Sequence, residues 1–289
     1  MTDVFAAHRE LLFSVVYNLL GSVADTEDVL QETWLSWEPR HRTGEIGNPR
    51  AYLVRVAVNH ALARRATVSR RREAYVGPWL PEPLVTDATD AAEPALRAES
   101  VSMAMLVVLE TLTPLERAVF VLNEVFGYPH TEIAEIIDRT PAAVRQLAHR
   151  AREHVHARRP RHQADPRLQR EVTERFLAAQ LDGDIAALME ILAPDVTLWA
   201  DGGGKARAAG LRPVHGRARV ARLISANATL RPIPDLCIRY REVNGDPSAL
   251  LFTGDAPFAV VVLDLTPDGR RVRGIYAVTN PDKLAHIDD

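Results

Sequence analysis

The stretch "HTEIAEIIDRTPAAVRQLAHRARE" (residues 130–153) contains two helical patterns divided by one break. Ile133, Ala134 and Ile137 recur at helical spacing, and a tight turn is expected at Asp138-Arg139. Thr140 then offers a capping hydroxyl, and Pro141 fits the first helical position, where no N–H is needed. Val144 and Leu147 complete a shared apolar core, so the segment reads as a helix-turn-helix. Arg145, Gln146, His149, Arg150 and Arg152 project from the second helix. Arginine and glutamine suit major-groove base edges, each good bidentate contact discriminating by about 1–3 kcal/mol. The competing reading is a helical hairpin with a solvated basic face.

Working upstream, "TPLE" (113–116) combines a capping box with a first-turn proline and predicts a helix over 114–126, closed by Gly127. Helices resume at about Pro94. The tract "GPWLPEPLVTDATDAAEP" (77–94) holds four prolines and reads as an extended linker. Trp79 and Leu80 are large apolar groups in it, so this linker is expected to dock. Nearer the start, residues 2–20 predict an amphipathic helix ended by Gly21. A second helix runs from Asp25 to Glu38, with Asp25, Glu27 and Asp28 complementing its dipole and Pro39 stopping it. A polar loop (40–47) leads to Asn48-Pro49, which starts a third helix reaching about Arg72. Arg55, Asn59 and Arg64 lie near one face of that helix, with His60 beside them. Asparagine is unfavourable in mid-helix, so Asn59 needs a reason: water, or a base.

Downstream of a hinge at 157–166 the pattern changes. Helices over 166–192, interrupted at Gly183, precede a strand at 195–200 and a helix at 217–227. Strands are expected at 236–243, 248–253, 257–265 and 271–278, with turns at Asn244-Gly245 and Asp268-Gly269. Helices leading into a long antiparallel sheet define an α+β domain.

The chain has 289 residues, 47% hydrophobic and 25% charged, which fits an ordinary globular protein of about two domains. A lone cysteine, Cys237, excludes an internal disulfide and suits a reducing cytoplasm. The opening "MTDVFAAHRELLFSVV" carries charges within its apolar stretch and does not read as a signal peptide. No apolar run is long enough to span a bilayer. Net charge is −3, yet "RRATVSRRR" (64–72) packs five arginines and "VRQLAHRAR" (144–152) three more. Basic charge is therefore focused on two segments, as two phosphate-facing surfaces would require; two solvated helix faces are the alternative.

"DGGGK" (201–205) invites a phosphate-loop reading and fails it. A Walker A loop needs its first glycine farther upstream and a Ser or Thr after the lysine, where Ala206 stands. No cofactor and no metal site are expected.

The residues also carry a resemblance. "DTEDVLQETWLSW" (25–37) resembles region 2.2 of bacterial sigma factors, "NPRAYLVRVAVNHALARR" (48–65) regions 2.3–2.4, and residues 112–153 region 4. The whole is similar to the extracytoplasmic-function (ECF, group 4) RNA polymerase sigma factors. "WLPEP" (79–83), "DGGGK" (201–205) and "NPDKL" (280–284) match the SigJ-like subgroup with a fused SnoaL-like C-terminal domain. The implied fold is two all-α sigma modules plus an α+β SnoaL/NTF2-like cone-shaped domain. The implied division is region 2 over 1–75, linker 76–98, region 4 over 99–158, hinge 159–166 and the SnoaL-like domain over 167–289.

The resemblance implies a cytoplasmic protein, monomeric when free, whose partners are core RNA polymerase and promoter DNA, with no membrane. Asp28, Gln31 and Glu32 match the segment that meets the polymerase β′ clamp helices, and region 4 is expected at the β flap. Arg55, Asn59, His60 and Arg64 match the −10 reader, and Arg145, Gln146, His149, Arg150 and Arg152 the −35 reader. Tyr52 and Ala63 depart from the family's more usual Trp and Asp.

No catalytic residue is expected. Asp195, His215, Asp255 and Asp264 could serve a cavity base by type, but each also fits a strand edge, turn or cap. The chain holds only two lysines among its 35 basic residues, Lys205 and Lys283, both in the C-terminal motifs, which suggests compact point-charge contacts. Trp79, Leu80, Pro81, Glu82 and Pro83 are therefore expected against Asp201, Gly202, Gly203, Gly204 and Lys205, with Glu82 offering an ion partner. Asn280, Pro281, Asp282, Lys283 and Leu284 would complete the contact. Such a contact would regulate activity in cis and remove the need for a separate anti-sigma factor. Two other readings stand against this: a dimeric ligand-sensing repressor, and a SnoaL-type enzyme with a regulatory front end.

Overall fold

The computed structural model describes residues 3–44, 46–86, 101–157, 165–206, 210–230 and 234–287. The expected helix start near Pro94 and most of the 157–166 hinge lie outside them. The described residues divide into two compact units. One comprises 3–73, 101 and 106–157; the other comprises 74–86, 102–105 and 165–287. Both sigma-like helical segments thus fall in one unit, and the Trp79 linker falls with the C-terminal domain.

The first unit is all-α. Helices α1 (Asp3–Leu20), α2 (Val23–Arg42) and α3 (Pro49–Glu73) pack mutually. Gly21 ends α1 with φ +67° and donates its N–H to the Tyr17 carbonyl, as a left-handed C-terminal residue does. Asn48 Oδ1 accepts from the Ala51 N–H and starts α3 as expected. Helix α2 instead runs through Pro39. The proline sits in the last turn, where one lost hydrogen bond is tolerable, and fully buried Trp37 stacks on His41 at 4.5 Å to hold that turn.

After α4 (Met103–Leu109), of which residues 106–109 belong to this unit, the capping box at Thr113 and Glu116 is formed and opens α5 (Pro114–Phe120). That helix loosens into a π-turn at Val121–Val125 before Gly127. Helices α6 (His130–Ile136) and α7 (Pro141–His156) flank Asp138, which takes φ +52°. Ile133, Ala134, Ile137 and Val144 are buried; Leu147 is half-buried, and Ala148 fills the core beside it.

The second unit is α+β. Helices α8 (Pro166–Leu181) and α9 (Ile185–Ile191) lead into β2 (Leu192–Asp201), β3 (Val214–His215) and α10 (Arg217–Leu230). A meander follows: β4 (Leu236–Val243), β5 (Asp246–Thr253), β6 (Ala256–Leu265) and β7 (Val272–Val278), then the short α11 (Pro281–Leu284). The linker contributes β1 (Val85–Thr86), and the sheet order is β1-β4-β5-β6-β7-β2-β3.

The sheet is mixed, because β2 pairs with β7 in parallel. An alternating pattern predicts a strand but carries no direction, and the excursion through α10 brings the last strand back alongside β2. Between helices and sheet lies an apolar core that includes Phe176, Leu177, Leu188, Val196, Val220, Val261 and Ile275.

Candidate nucleic-acid interface and linker clasp

Helix α7 presents Arg145, Gln146, His149 and Arg150 to solvent, with Val144 and Ala148 holding its other face in the core. This is the arrangement a groove-entering helix needs. Arg152 behaves differently. Its Nε donates to Glu124 at 2.6 Å and its Nη2 to Asn123 Oδ1 at 2.9 Å, so it braces α7 against the π-turn.

On α3, Arg55 is exposed. Asn59 Nδ2 donates to the Arg55 carbonyl at 2.9 Å and to the Ile136 carbonyl at the end of α6 at 3.1 Å. The mid-helix asparagine thus bridges to the helix-turn-helix. His60 and Arg64 face α2 rather than open solvent. His60 lies 3.4 Å from Glu32 and 3.2 Å from Ser36 Oγ. Arg64 reaches Asp25 at 2.9 Å, Glu32 at 3.2 Å and also Asp28. The expected polymerase-docking acids and two expected DNA readers are therefore in contact. Burial pushes the Asp25 carboxyl up, but Arg71 and Arg64 outweigh it and hold the group below its usual value.

The two helical segments meet at a charge cluster that sequence reading missed. Arg65 Nη1, Arg72 Nη2 and Arg117 Nε donate to the carbonyls of Leu19, Leu20 and Asn18 at 2.7, 2.6 and 2.8 Å. Three guanidiniums thereby take carbonyls at the C-terminal end of α1, where positive charge is favoured. Glu110 pairs with all three. Burial first, then the neighbouring guanidinium of Arg117, lowers the Arg65 pKa to about 9.

The second unit contains the linker clasp. Asp201 is fully buried at the end of β2. Its carboxylate accepts from Tyr75 OH at 2.5 Å, Leu80 N–H at 2.8 Å and Lys283 Nζ at 2.7 Å. Lys283 also donates to the Leu80 carbonyl and sits 4.0 Å from the Trp79 ring centroid, a close cation–π approach. Asn280 Nδ2 donates to Tyr75 OH at 2.8 Å, and His286 Nε2 donates to the Pro83 carbonyl at 2.8 Å. Pro81 and Pro83 are buried with Leu80, and Leu284 is buried in α11.

Lys205 pairs with Asp282 at 2.5 Å rather than with Glu82. The glycines have local causes. Gly203 and Gly204 take φ +59° and +73°, and an added Cβ would lie 2.5 Å from Asn280 or 3.1 Å from Val76. DGGGK is thus a linker seat, not a phosphate cradle. Gly202 is buried, and Pro281 is exposed at the first turn of α11. Tyr75 and His286 gave no sequence signal: one precedes the linker motif and the other follows NPDKL.

The expected cavity-base candidates take structural positions. His215 Nδ1 meets Thr197 Oγ1 at 3.0 Å, Asp264 pairs with Arg273 at 2.9 Å, and Asp195 and Asp255 are exposed. Burial raises two carboxyls here, that of Asp264, against its partner Arg273, and that of Asp246 at the start of β5. Burial, helped by the Asp264 charge, pushes the Asp246 carboxyl up to about 7, against a hydrogen bond from Gln169. The folded chain then holds this proton more tightly than the unfolded chain, whose Asp titrates near 4. Its contribution to stability should fall as pH rises from about 4 and level off above about 7. Asp246→Asn should flatten that slope in thermal melts of the full chain; an unchanged slope would assign it to other groups.

Among the described residues no helix is long and apolar enough to cross a membrane, and no three His, Cys, Asp or Glu side chains group as a metal site. Fold and surfaces together define a helix-turn-helix protein with an appended α+β domain. Residues 4–71 match the Sigma-70 region 2 family and residues 102–155 the Sigma-70 region 4 family. The chain is 38% identical to the ECF RNA polymerase sigma factor SigJ of Mycobacterium tuberculosis, covering 97% of this chain and 92% of the relative. It is 30% identical to the probable ECF sigma factor SigI of that organism, covering 98% and 94%. The crystal structure of M. tuberculosis SigJ aligns with TM-score 0.77 and 34% identity over 99% of this chain and 98% of that one.

The chain belongs to the ECF RNA polymerase sigma factors, and its C-terminal end folds as an α+β domain. It is a transcription initiation factor, not an enzyme.

Proposed function

We propose that the chain reads the −35 element with Arg145, Gln146, His149 and Arg150, and the −10 element through Arg55 and Asn59 with His60 and Arg64 in support. Asp28, Gln31 and Glu32 engage the polymerase β′ clamp helices, and region 4 engages the β flap. Two small DNA-reading surfaces bind weakly alone; tethering both to polymerase supplies the avidity. The clasp around Asp201 and Lys283 holds the linker that joins the two reading segments, so the C-terminal domain regulates promoter use in cis. The monomeric free chain then needs no anti-sigma factor. The observation that carries this reading is the seat itself: Leu80 is fully buried, and both its backbone polar groups are taken by Asp201 and Lys283.

Run-off transcription with core polymerase on a promoter panel tests it, comparing the full chain with Arg145→Ala and Trp79→Ala. Arg145→Ala should cost about 1–3 kcal/mol of promoter affinity and relax one −35 position. Trp79→Ala should change output severalfold without altering the melting of the helical unit. Core-independent protection of a palindrome would instead mark a stand-alone repressor. Output unaffected by Trp79→Ala would remove the regulatory role of the clasp.

A further inference from the structure

Asp25, Asp28 and Glu32 lie at i, i+3 and i+7, one stripe along α2. Facing them, His60, Arg64 and Arg71 follow one another along α3. Arg64 is the hub, touching all three carboxylates. Its partners differ in kind. Asp28 and Glu32 are open to solvent, with side chains 56% and 45% exposed, whereas Asp25 is 8% exposed.

Asp25 does not depend on Arg64. Arg71 Nη2 donates to both of its carboxylate oxygens, at 2.7 and 2.8 Å. If Arg64 swings away, the buried carboxylate keeps a cation and no bare buried charge is created. An exposed cation surface that docked on Asp28 and Glu32 would compete directly with Arg64 and His60. The pairs with Asp28 and Glu32 are exposed and therefore weak, so exchanging them costs little free energy.

We propose that Arg64 is an exchange residue coupling polymerase docking to promoter capture: the acidic stripe holds it in the free chain, and docking on Asp28 and Glu32 releases it to the DNA backbone. His60, held by Glu32, is released with it. This rests on the assignment of the stripe to polymerase and of α3 to the −10 region. By linkage, DNA engagement of Arg64 strengthens polymerase docking by the same factor. The coupling makes strand capture favourable chiefly after the factor has docked, which discourages idle binding to DNA by the free chain.

The test is affinity of the free full-length chain for a fluorescein-labelled, mixed-sequence single-stranded DNA, read by anisotropy at low salt. Asp28→Asn removes one negative charge that holds Arg64. Glu27→Gln removes one from the same helix that pairs with Arg9 instead. Asp28→Asn should raise affinity about three- to tenfold, the range expected for freeing one partly exposed guanidinium. Glu27→Gln should raise it less than about twofold, the general effect of net charge. In an Arg64→Gln background the gain from Asp28→Asn should vanish. Equal gains from both acids, no gain from Asp28→Asn, or a gain that survives Arg64→Gln would each overturn the proposal. Run-off transcription by the unaltered chain separates the two readings. Initiation with an additive mutant cycle removes the coupling alone; no initiation removes the assignment beneath it.

Discussion

Asp201→Ala should destabilise the C-terminal unit by about 3–5 kcal/mol and release the linker. The carboxylate is fully buried, and its loss leaves the buried Lys283 ammonium without its anion. Breaking a buried ion pair from one side costs about that much, since the remaining charge is uncompensated. Tyr75 OH and the Leu80 N–H lose their acceptor in the same step. Urea unfolding of the full chain would report the loss, and limited proteolysis would report the linker, with new cleavage over residues 74–86. The double variant Asp201→Ala/Lys283→Met should recover part of the stability, because no buried charge is left bare. Wild-type protease resistance in Asp201→Ala would mean that apolar burial of Leu80 alone seats the linker.

The same site shows what a sequence can and cannot convey. The motifs WLPEP, DGGGK and NPDKL could be matched as strings, and their meeting could be expected from the apolar Trp79 and Leu80. Helix starts at Asn48, Thr113 and Thr140 were legible because a cap acts within three residues of itself. The Asn244-Gly245 hairpin was legible for the same reason, and both residues take positive φ. Ion-pair partners were not legible. Lys205 could as well have met Glu82 as Asp282, and the choice depends on a fold that brings residue 282 beside residue 205. Arg64 and His60 look like DNA ligands on a helical wheel, yet α2 packs against that face. Nothing local indicates that the two linker residues Val85 and Thr86 pair with β4 as an edge strand. Pro39 looked like a stop because the stabilising stack of Trp37 on His41 is a side-chain contact, not a backbone preference.

Glu110→Ala should be the most damaging single change in the helical unit, at about 3–5 kcal/mol, because one carboxylate serves three guanidiniums. Arg117 is fully buried, and Arg65 and Arg72 are nearly so, with side chains 8% and 15% exposed. Burial disfavours the charge on all three, and neighbouring guanidiniums add to this at Arg65 and Arg72, together pulling the Arg72 pKa down to about 8. The α1 carbonyls of Asn18, Leu19 and Leu20 accept from these groups but carry only partial charge. They cannot replace a full anion.

The damage should spread to both helical segments, since Arg65 and Arg72 belong to α3 and Arg117 to α5. Urea unfolding followed separately by far- and near-ultraviolet circular dichroism would show one earlier transition, not loss of a single module. Two responses distinguish missing charge from a mere cavity. Adding Arg72→Met to Glu110→Ala should restore part of the stability by removing one uncompensated cation. Sulfate should stabilise Glu110→Ala more than the unaltered chain, because an anion then has a vacant place among the guanidiniums. Equal sulfate effects on both proteins, with no rescue by Arg72→Met, would reduce Glu110 to a packing residue and leave the α1 carbonyls as the main restraint on the three arginines.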